Sequence, residues 1–300
     1  MLPTVQINLA KIRSNAAFLK SLAPGLLLAG VTKGCGGDAK VAAAMLAGGA
    51  EQLADSRLKR LRRLRKRFPK VPLIMLRQPL KDELDEVVKH NLITVVSCKS
   101  VANALAKAAA KQGKDISLIL MLEAGSLREG LFPDEALALA KTLKEQPAVK
   151  LDGVAVNIGC YQGKMPDNFV WQLLQQVTAA IKKLGFSLKY ISGGNSSVVS
   201  FLKTKTLPQE VNHLRIGEAI LLGMDTLSNQ QVPELAADAF TVEAEVVESK
   251  KKNGYYNQVV ALGRQEVGFG SLQPLNAGEI SIINSDHLVV RSKQVLALTG

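Results

Sequence analysis

The chain has 300 residues, 47% of them hydrophobic, and a formal net charge of +12. Its length and apolar content suffice for a large buried core, and the lack of any run of about 18 apolar residues excludes a transmembrane helix. Three scattered cysteines and three histidines, without the spacing of metal ligands, exclude a disulfide framework and argue against a metal site.

The first 227 residues alternate strand-like and helix-like segments after a helix predicted over residues 9–22. Eight apolar, strand-like runs lie at residues 26–33, 51–56, 72–77, 93–98, 116–124, 151–159, 188–194 and 213–222. Stretches between them, such as 82–90, 101–111, 134–144 and 168–184, carry apolar residues at helical spacing. Eight β/α units predict an α/β fold, a (β/α)8 TIM-type barrel over residues 1–227, whose active site lies at the carboxyl ends of the strands.

The last part of the chain has a different pattern. Residues 240–246, 255–262 and 280–290 alternate apolar and polar side chains, which predicts a small β domain over residues 228–300. The polar segment 228–233 ends in a proline and is predicted to link this domain to the barrel.

Lys33 ends the first strand-like run and is followed by the glycine-rich segment 34–37. An amine at the mouth of a barrel is costly to desolvate and is suited to covalent chemistry. The same position also suits an ordinary lysine that reaches water, so this segment alone leaves both interpretations open.

Two later strand ends, 191–197 and 214–220, have the composition of phosphate-binding loops. Their relevant residues are Asn195, Ser196, Ser197, Arg215, Gly217 and Glu218. Glycines let the backbone approach an anion closely, while backbone N–H groups and serine hydroxyls donate to it. A lysine amine, a phosphate-binding loop and a nearby arginine together meet the requirements of pyridoxal 5'-phosphate (PLP).

The positive charge is densest at residues 59–67. Leu58, Leu61 and Leu64 recur at helical spacing, which favours a solvated helix face over a nucleic-acid surface, because the aromatic residues of a single-strand binder are absent. We therefore predict no nucleic-acid or membrane partner. Residues 1–4 lack the charged start and apolar stretch of a signal peptide, so the cytoplasm is the predicted location.

Short motifs spread over nearly the whole chain carry a family resemblance. They lie at residues 31–33, 55–57, 127–130, 157–161, 192–197, 214–223, 263–265 and 285–287. In order and placement they resemble the alanine/ornithine racemase family of fold-type-III PLP enzymes. The resemblance implies a homodimeric amino-acid racemase with PLP as cofactor.

The resemblance also implies roles for residues of the barrel. Lys33 would hold the cofactor's aldehyde as a Schiff base. Ser196 and Ser197, with backbone groups of Gly217 and Glu218, would hold the phosphate.

Three further residues are expected around the cofactor ring. Arg215 would face the pyridine nitrogen, and because a guanidinium keeps its proton the ring would stay a weak electron sink, which suits racemisation. Arg128 would lie near the phenolic oxygen or the substrate carboxylate. Asn157 would contact the ring.

Racemisation by two bases needs a second acid/base opposite Lys33. Related alanine racemases use a tyrosine, but the matching segment here is Gly263-Arg264-Gln265. A histidine such as His287 can serve as acid or base in either direction, whereas Cys160 would need a lowered pKa and is equally compatible with an inert buried thiol. Both stay open as the second base, with Asp286 as an orienting or substrate-ammonium group.

The substrate is expected from the resemblance to be ornithine, with alanine, lysine or serine as alternatives. A carboxylate from Glu123, Asp286 or Glu266 would favour a diamino acid. The chain ends at Gly300, earlier than expected for the family, so a shortened β domain and a non-catalytic PLP homeostasis protein remain the rival interpretation.

Overall fold

A computed structural model describes residues 2–125, 127–158, 168–268, 270–275 and 278–296. Contacts divide the chain into two compact units, one of residues 8–239 and one of residues 1–7 with 240–300. The sequence predicted a division after residue 227, with the amino terminus in the barrel. The observed units differ from the predicted domains in two places: residues 1–7 group with the carboxyl-terminal unit, and residues 228–239 group with the barrel.

The described chain contains sixteen strands and ten α-helices. The strands are β1 (Thr4–Ile7), β2 (Leu27–Val31), β3 (Gln52–Asp55), β4 (Leu73–Met75), β5 (Ile93–Val96), β6 (Ile116–Leu122), β7 (Val149–Val156), β8 (Tyr190–Ser192), β9 (His213–Ile216), β10 (Met224–Asp225), β11 (Gln230–Gln231), β12 (Phe240–Glu243), β13 (Val246–Lys252), β14 (Tyr255–Val260), β15 (Glu279–Ile283) and β16 (Leu288–Ser292). The helices are α1 (Leu9–Leu22), α2 (Ala39–Ala47), α3 (Leu58–Arg67), α4 (Leu84–Lys89), α5 (Lys99–Lys111), α6 (Pro133–Lys144), α7 (Asn168–Lys183), α8 (Val199–Thr204), α9 (Glu218–Leu222) and α10 (Arg264–Val267). Within the described ranges, every helix is too short or too polar to span a bilayer.

The unit of residues 8–239 is a closed barrel in which β2 to β9 pair in chain order and β9 returns to β2. Each strand overlaps one of the eight predicted runs, so the (β/α)8 barrel is confirmed. The predicted opening helix is also confirmed as α1. It begins at Leu9 because the Asn8 side chain accepts the backbone N–H of Lys11 at 3.1 Å and caps the first turn.

The barrel interior follows the two-residue period of its strands. Pairs such as Ile93 and Val95 of β5, or Ile119 and Met121 of β6, lie in one buried cluster, while the residues between them pack outward against helices. Because both faces of each strand are buried, the strands read as continuous apolar runs. The same period carries Asn157, two residues beyond the interior Ala155, to the carboxyl end of the barrel.

Three polar residues close the amino end of the barrel, and the sequence analysis did not find them. His213, Gln52 and Tyr190 are each the first residue of their strand, and all are buried. Gln52 Oε1 accepts from His213 Nε2 at 3.0 Å, and Gln52 Nε2 donates to the Tyr190 hydroxyl at 3.1 Å. Burial, and secondarily the charge of Arg215, lower the pKa of His213 to about 3.

The buried His213 predicts a measurable pH dependence of stability. Its folded pKa lies below the unfolded value of 6.5, so below about pH 6.5 the unfolded chain takes up a proton that the folded chain excludes. The contribution of neutral His213 to the free energy of unfolding is complete above the unfolded pKa. It is lost as the pH falls toward 3, by about 1.4 kcal/mol per pH unit. In urea titrations between pH 7 and pH 4, the stability advantage of wild type over His213→Gln should therefore shrink as the pH falls. A constant difference would contradict this.

Residues 228–239 belong to the barrel unit. β10 and β11 form a hairpin, with Met224 opposite Gln231, and its turn includes Asn229 in the left-handed region at φ 54°. Leu227 and Val232, on either side of that turn, are buried. The segment predicted as a polar linker is therefore part of this unit, because its flanking apolar residues bury themselves there.

The second unit is built of antiparallel strands, as the period-two pattern predicted. β13, β14, β16 and β15 form one sheet in that order, around a core that includes Val260, Leu262, Leu288 and Val290. β1 pairs with β12, with Thr4 opposite Glu243 and Ile7 opposite Phe240. This pairing of β1 with β12 is what groups the amino-terminal strand with the carboxyl-terminal unit.

The basic segment 59–67 forms most of α3. Leu58, Leu61 and Leu64 are buried, as their spacing predicted. The opposite face is not simply solvated, since Arg60 and Arg63 donate hydrogen bonds to carbonyls of the loop after β2. The interpretation of this segment as a solvated helix face is corrected in that respect.

Candidate active site

Lys33 begins a short 3₁₀ turn immediately after β2 and its side chain is exposed at the carboxyl end of the barrel. The turn depends on Gly36 and Gly37, which have φ values of 65° and 69° that favour glycine. Asp38 then caps α2 by accepting the backbone N–H groups of Lys40 and Val41. The glycine-rich segment that follows Lys33 thus turns the chain sharply from strand to helix and leaves the lysine side chain at the mouth.

The second phosphate-loop segment lies next to Lys33. β2 pairs with β9 with Gly30 opposite Ile216, which places Gly217 beside the end of β2. A Cβ atom on Gly217 would lie 3.0 Å from Val31 Cβ and 3.2 Å from the Val31 carbonyl oxygen. The close approach of the two strand ends therefore favours glycine at position 217, since a side chain there would push Val31 aside by a few tenths of an ångström.

The first phosphate-loop segment is joined to the second by Ser196. Its Oγ accepts the backbone N–H groups of Gly217 at 3.4 Å and Ala219 at 3.1 Å. Because both contacts use oxygen lone pairs, the Ser196 hydroxyl keeps its proton as a donor. Glu218, the first residue of α9, is exposed beside this junction.

Asn195 and Ser197 shape the same loop from within. Asn195 Oδ1 accepts the Ser197 backbone N–H at 2.9 Å, and the Ser197 hydroxyl donates to the Ile158 carbonyl at 2.6 Å. Ser197 is fully buried. The Ser197 hydroxyl proton is thus used in the hydrogen bond to the Ile158 carbonyl. Ser196 is therefore the serine placed to donate to an anion.

A chain of hydrogen bonds connects the other predicted residues. Arg215 is buried, and its Nη2 donates to the Val156 carbonyl at 2.8 Å and to Asn157 Oδ1 at 2.9 Å. Asn157 Nδ2 donates to Glu129 Oε1 at 3.2 Å. Glu129 also accepts from Arg128, with 2.5 Å between Arg128 Nη2 and Glu129 Oε1. Arg215, Asn157 and Arg128 are thus brought together, with Glu129 between them.

Glu129 is a residue that the sequence analysis left without a role. The hydrogen bond from Arg128 is the largest influence on its carboxylate and lowers its pKa, with Asn157 and Arg215 acting in the same direction. Two guanidinium groups and one carboxylate leave this cluster with a net positive charge, which attracts anionic groups. The signal available in the sequence was only the adjacency of Glu129 to Arg128.

The donor set at this end of the barrel fits PLP. Lys33 supplies an exposed amine, Ser196 and its neighbouring glycine supply a phosphate cradle, and Arg215 supplies a buried cation that donates without losing its proton. In addition, the Ser192 hydroxyl, on the interior face of β8, is buried without a hydrogen-bond partner among the described residues. Buried hydroxyls are normally hydrogen bonded, which is consistent with a polar ligand at this end.

In the second unit, Asp286 and His287 lie in the turn between β15 and β16. His287 Nδ1 lies 3.1 Å from Asp286 Oδ1, and its Nε2 lies 3.0 Å from Asn284 Nδ2. Hydrogen bonds from the backbone and from Ser285 lower the pKa of Asp286. The predicted pair is therefore brought together within this unit. Cys160, the other candidate base, lies outside the described residues.

The segment Gly263-Arg264-Gln265 supports that turn. The backbone N–H of Arg264 donates to the Asn284 carbonyl at 2.8 Å, and that of Gln265 donates to the Ser285 carbonyl at 2.9 Å. A Cβ atom on Gly263 would lie 2.4 Å from the Ser285 oxygen. The two motifs of the β unit, 20 residues apart in the sequence, thus form one structural feature that depends on this glycine.

Two of the three carboxylates considered for a diamino-acid substrate stabilise turns. Glu123 Oε1 accepts the backbone N–H groups of Gly125 and Leu127, and Glu266 Oε2 accepts that of Gly263. Asp286 is the third and is exposed in its turn. Across the part of the chain that the structure describes, no three His, Cys, Asp or Glu side chains gather as metal ligands do.

Comparison with known proteins identifies similar sequences. The profile of the family described as "Alanine racemase, N-terminal domain" matches residues 7–225. A lysine racemase of Thermotoga maritima is 30% identical over 96% of this chain and 88% of its own length. An ornithine racemase of Acetoanaerobium sticklandii is 30% identical over 97% of this chain and 89% of its own length. An alanine racemase of Treponema pallidum is 24% identical over 54% of this chain and 45% of its own length.

Solved structures share the fold. An alanine racemase of Clostridium difficile in complex with cycloserine superposes with a TM-score of 0.81 at 17% identity, covering 100% of this chain and 84% of that one. A D-threonine aldolase of Filomicrobium marinum gives a TM-score of 0.82 at 15% identity, covering 98% and 83%. Because the same fold carries two reactions, the structural likeness establishes architecture alone.

Proposed function

We propose that this chain, which belongs to the alanine racemase family, interconverts the L and D forms of a diamino acid, with ornithine as the first candidate and lysine as the second. At the coarser level it is a PLP-dependent amino-acid racemase. The observation that carries the cofactor chemistry of the proposal is the placement of Lys33, the Ser196–Gly217 junction and Arg215 at one end of the barrel.

Four residues would hold the cofactor. PLP, bound through its aldehyde, withdraws electrons from the substrate Cα and so acidifies the Cα proton. Lys33 would form the covalent bond, and Ser196 with the Gly217 backbone would bind the phosphate. Arg215 would face the ring nitrogen, where its guanidinium donates a hydrogen bond and gives up no proton.

The hydrogen bonds of Arg215 support that role. Its Nη2 is held by the Val156 carbonyl and the Asn157 amide oxygen, so the guanidinium plane is fixed. Glu129 Oε1 in turn accepts a hydrogen bond from Asn157 Nδ2. This contact orients the Asn157 amide so that its oxygen faces Arg215. Arg128, paired with Glu129, would be available to the substrate carboxylate or the phenolic oxygen.

Two bases would move the Cα proton. Lys33 would take or return it on one face of the substrate, and His287 is proposed to do so on the other. The Asp286 carboxylate accepts from His287 Nδ1, which leaves Nε2 as the basic nitrogen of a neutral ring. Nε2 then accepts from Asn284 Nδ2, and it must exchange this contact for the substrate when it acts. Cys160 stays the alternative second base.

The substrate class is proposed from the extent of the sequence similarity. Relatives that match nearly the whole chain are named for lysine and ornithine, whereas a relative named for alanine matches about half of it. The carboxyl-terminal third, where a second base and side-chain specificity are proposed to lie, is therefore shared with the diamino-acid racemases. A homodimer in the cytoplasm completes the proposal.

The deciding experiment is incubation of the PLP-loaded protein with separate L-amino acids in heavy water. Ornithine, lysine, alanine and serine are compared, and chirality and Cα deuterium are read by chiral chromatography with mass detection. We expect D-ornithine carrying one deuterium at Cα. D-lysine as the main product would move the assignment to the second candidate, while turnover of alanine or serine alone would contradict a diamino-acid specificity.

The rival function has a distinct result in the same experiment. A PLP homeostasis protein without turnover would be yellow with bound cofactor and would deuterate none of the four amino acids. Cα deuterium without inversion would indicate that only one of the two proposed bases is working.

A further inference from the structure

The loop that carries Lys33 is held from outside the barrel by the basic helix α3. Arg60 Nη1 donates to the Lys33 carbonyl at 3.0 Å, and Arg63 Nη2 donates to the Gly36 carbonyl at 2.9 Å. Gly37 lies against Arg60 so closely that a Cβ atom there would be 2.8 Å from Arg60 Cβ. The arginine side chains of α3 are therefore in contact with the backbone of the loop, both by hydrogen bonds and by packing.

The other side of Lys33 is fixed by Thr32 and a buried carboxylate. The Thr32 backbone N–H donates to the Ala54 carbonyl at 2.8 Å, and its hydroxyl donates to Asp55 Oδ2 at 2.8 Å. Asp55 is fully buried, and its Oδ1 lies 3.8 Å from Arg60 Nη1. Asp55 Oδ1 also accepts the Arg57 backbone N–H at 2.9 Å, and Arg60 adds a nearby positive charge to this buried carboxylate.

Arg60 thus acts on both residues of the segment Thr32-Lys33. It contacts the carbonyl of Lys33 directly and balances the carboxylate that anchors Thr32. The backbone of Lys33 is restrained on both sides, although its side chain is exposed. A lysine side chain has a long flexible stem. The region that its amine can reach is therefore set chiefly by where its Cα is held.

We propose that Arg60 is a positioning residue, which fixes the backbone of Lys33 so that its amine meets the cofactor aldehyde and the substrate Cα in a constant geometry. This inference rests on the proposed role of Lys33. It gives the basic helix a part in the reaction that is separate from binding any partner.

The test measures attachment of PLP to the purified full chain after the cofactor has been removed. The rate is followed by the visible absorbance and by borohydride trapping, and Tm is measured on the same samples. Because small displacements of a reacting group cost large factors in rate, we expect attachment about tenfold slower in Arg60→Gln, with kcat reduced by a similar factor and KM unchanged. Arg60→Lys keeps the charge and one donor and should recover part of the rate.

Lys59→Gln is the matched control. Lys59 is the exposed neighbour of Arg60 on the same helix, and its substitution by Gln removes the same positive charge. Its attachment rate should equal that of wild type. Equal slowing in Lys59→Gln and Arg60→Gln, or a wild-type rate in Arg60→Gln, would overturn the positioning role.

Two further outcomes are separable. A wild-type protein that attaches no PLP would overturn the proposed function itself, before any variant is considered. Where Arg60→Gln fails to fold, Arg60→Lys decides: attachment slowed several-fold in a folded protein supports the inference, and an unchanged rate refutes it.

Discussion

Lys33→Ala is expected to lose covalently attached PLP and to lower racemase turnover by at least about 10³-fold, because one substitution removes the amine proposed both to bond the aldehyde and to act as the base on one face of the substrate. Lys33 is exposed and is not part of the buried cluster described for the barrel interior. The fold should therefore survive, with Tm close to that of wild type.

The measurement for Lys33→Ala is the visible spectrum together with mass spectrometry after borohydride reduction. Wild type should gain the mass of one phosphopyridoxyl group on the peptide that contains Lys33. Lys40→Ala is the control, since Lys40 is an exposed lysine on α2, seven residues further along the chain. An unchanged spectrum and mass adduct in Lys33→Ala would refute the assignment.

His287→Ala is expected to retain PLP and lose most racemisation, by about 10²- to 10⁴-fold, the range of a single general acid/base. His287 lies in an exposed turn, so little stability should be lost. Since Lys33 remains, one enantiomer of the substrate should still exchange its Cα proton for deuterium while keeping its configuration. Exchange of one enantiomer without inversion is the result to be measured.

Comparison with three other variants separates the candidate bases. His90→Ala removes a histidine that contacts Glu86 on the barrel unit and should keep full turnover. Normal racemisation in His287→Ala together with loss of racemisation in Cys160→Ala would transfer the second base to the cysteine. Asp286→Asn should slow the reaction less than His287→Ala, because it weakens the orientation of the imidazole without removing it.

The barrel and the position of Lys33 were accessible from the sequence because both rest on local pattern. Eight apolar runs separated by helical periods leave few alternatives to a (β/α)8 barrel, and an amine that ends the first of these runs must lie at its carboxyl mouth. Gly217 could also be recognised, since close backbone approach selects glycine. The part played by Glu129 could not, because its meeting with Asn157 depends on how β6 and β7 lie side by side.

The polar plug of Gln52, Tyr190 and His213 shows the same limit. Each residue stands at the start of an apolar run, where the sequence gives no sign that three such starts face one another. Their contact spans 138 to 161 positions of the chain. The pairing of the first strand with β12 is of the same kind, and it places residues 4–7 in a unit that begins otherwise at residue 240.

By itself the sequence determined the fold class, because hydrophobic periodicity is a property of neighbouring residues, and its resemblance to fold-type-III enzymes indicated the cofactor and the lysine proposed to bind it. Only the tertiary structure decided which polar groups meet: Ser196 with Gly217, Asn157 with Arg215, Gly263 with the turn of His287, and Arg60 with the carbonyl of Lys33. The physical reason is that burial of apolar surface is non-directional and can be estimated segment by segment, whereas a hydrogen bond requires two groups within about 3 Å. That distance is set by how segments far apart in the sequence pack beside one another within each unit.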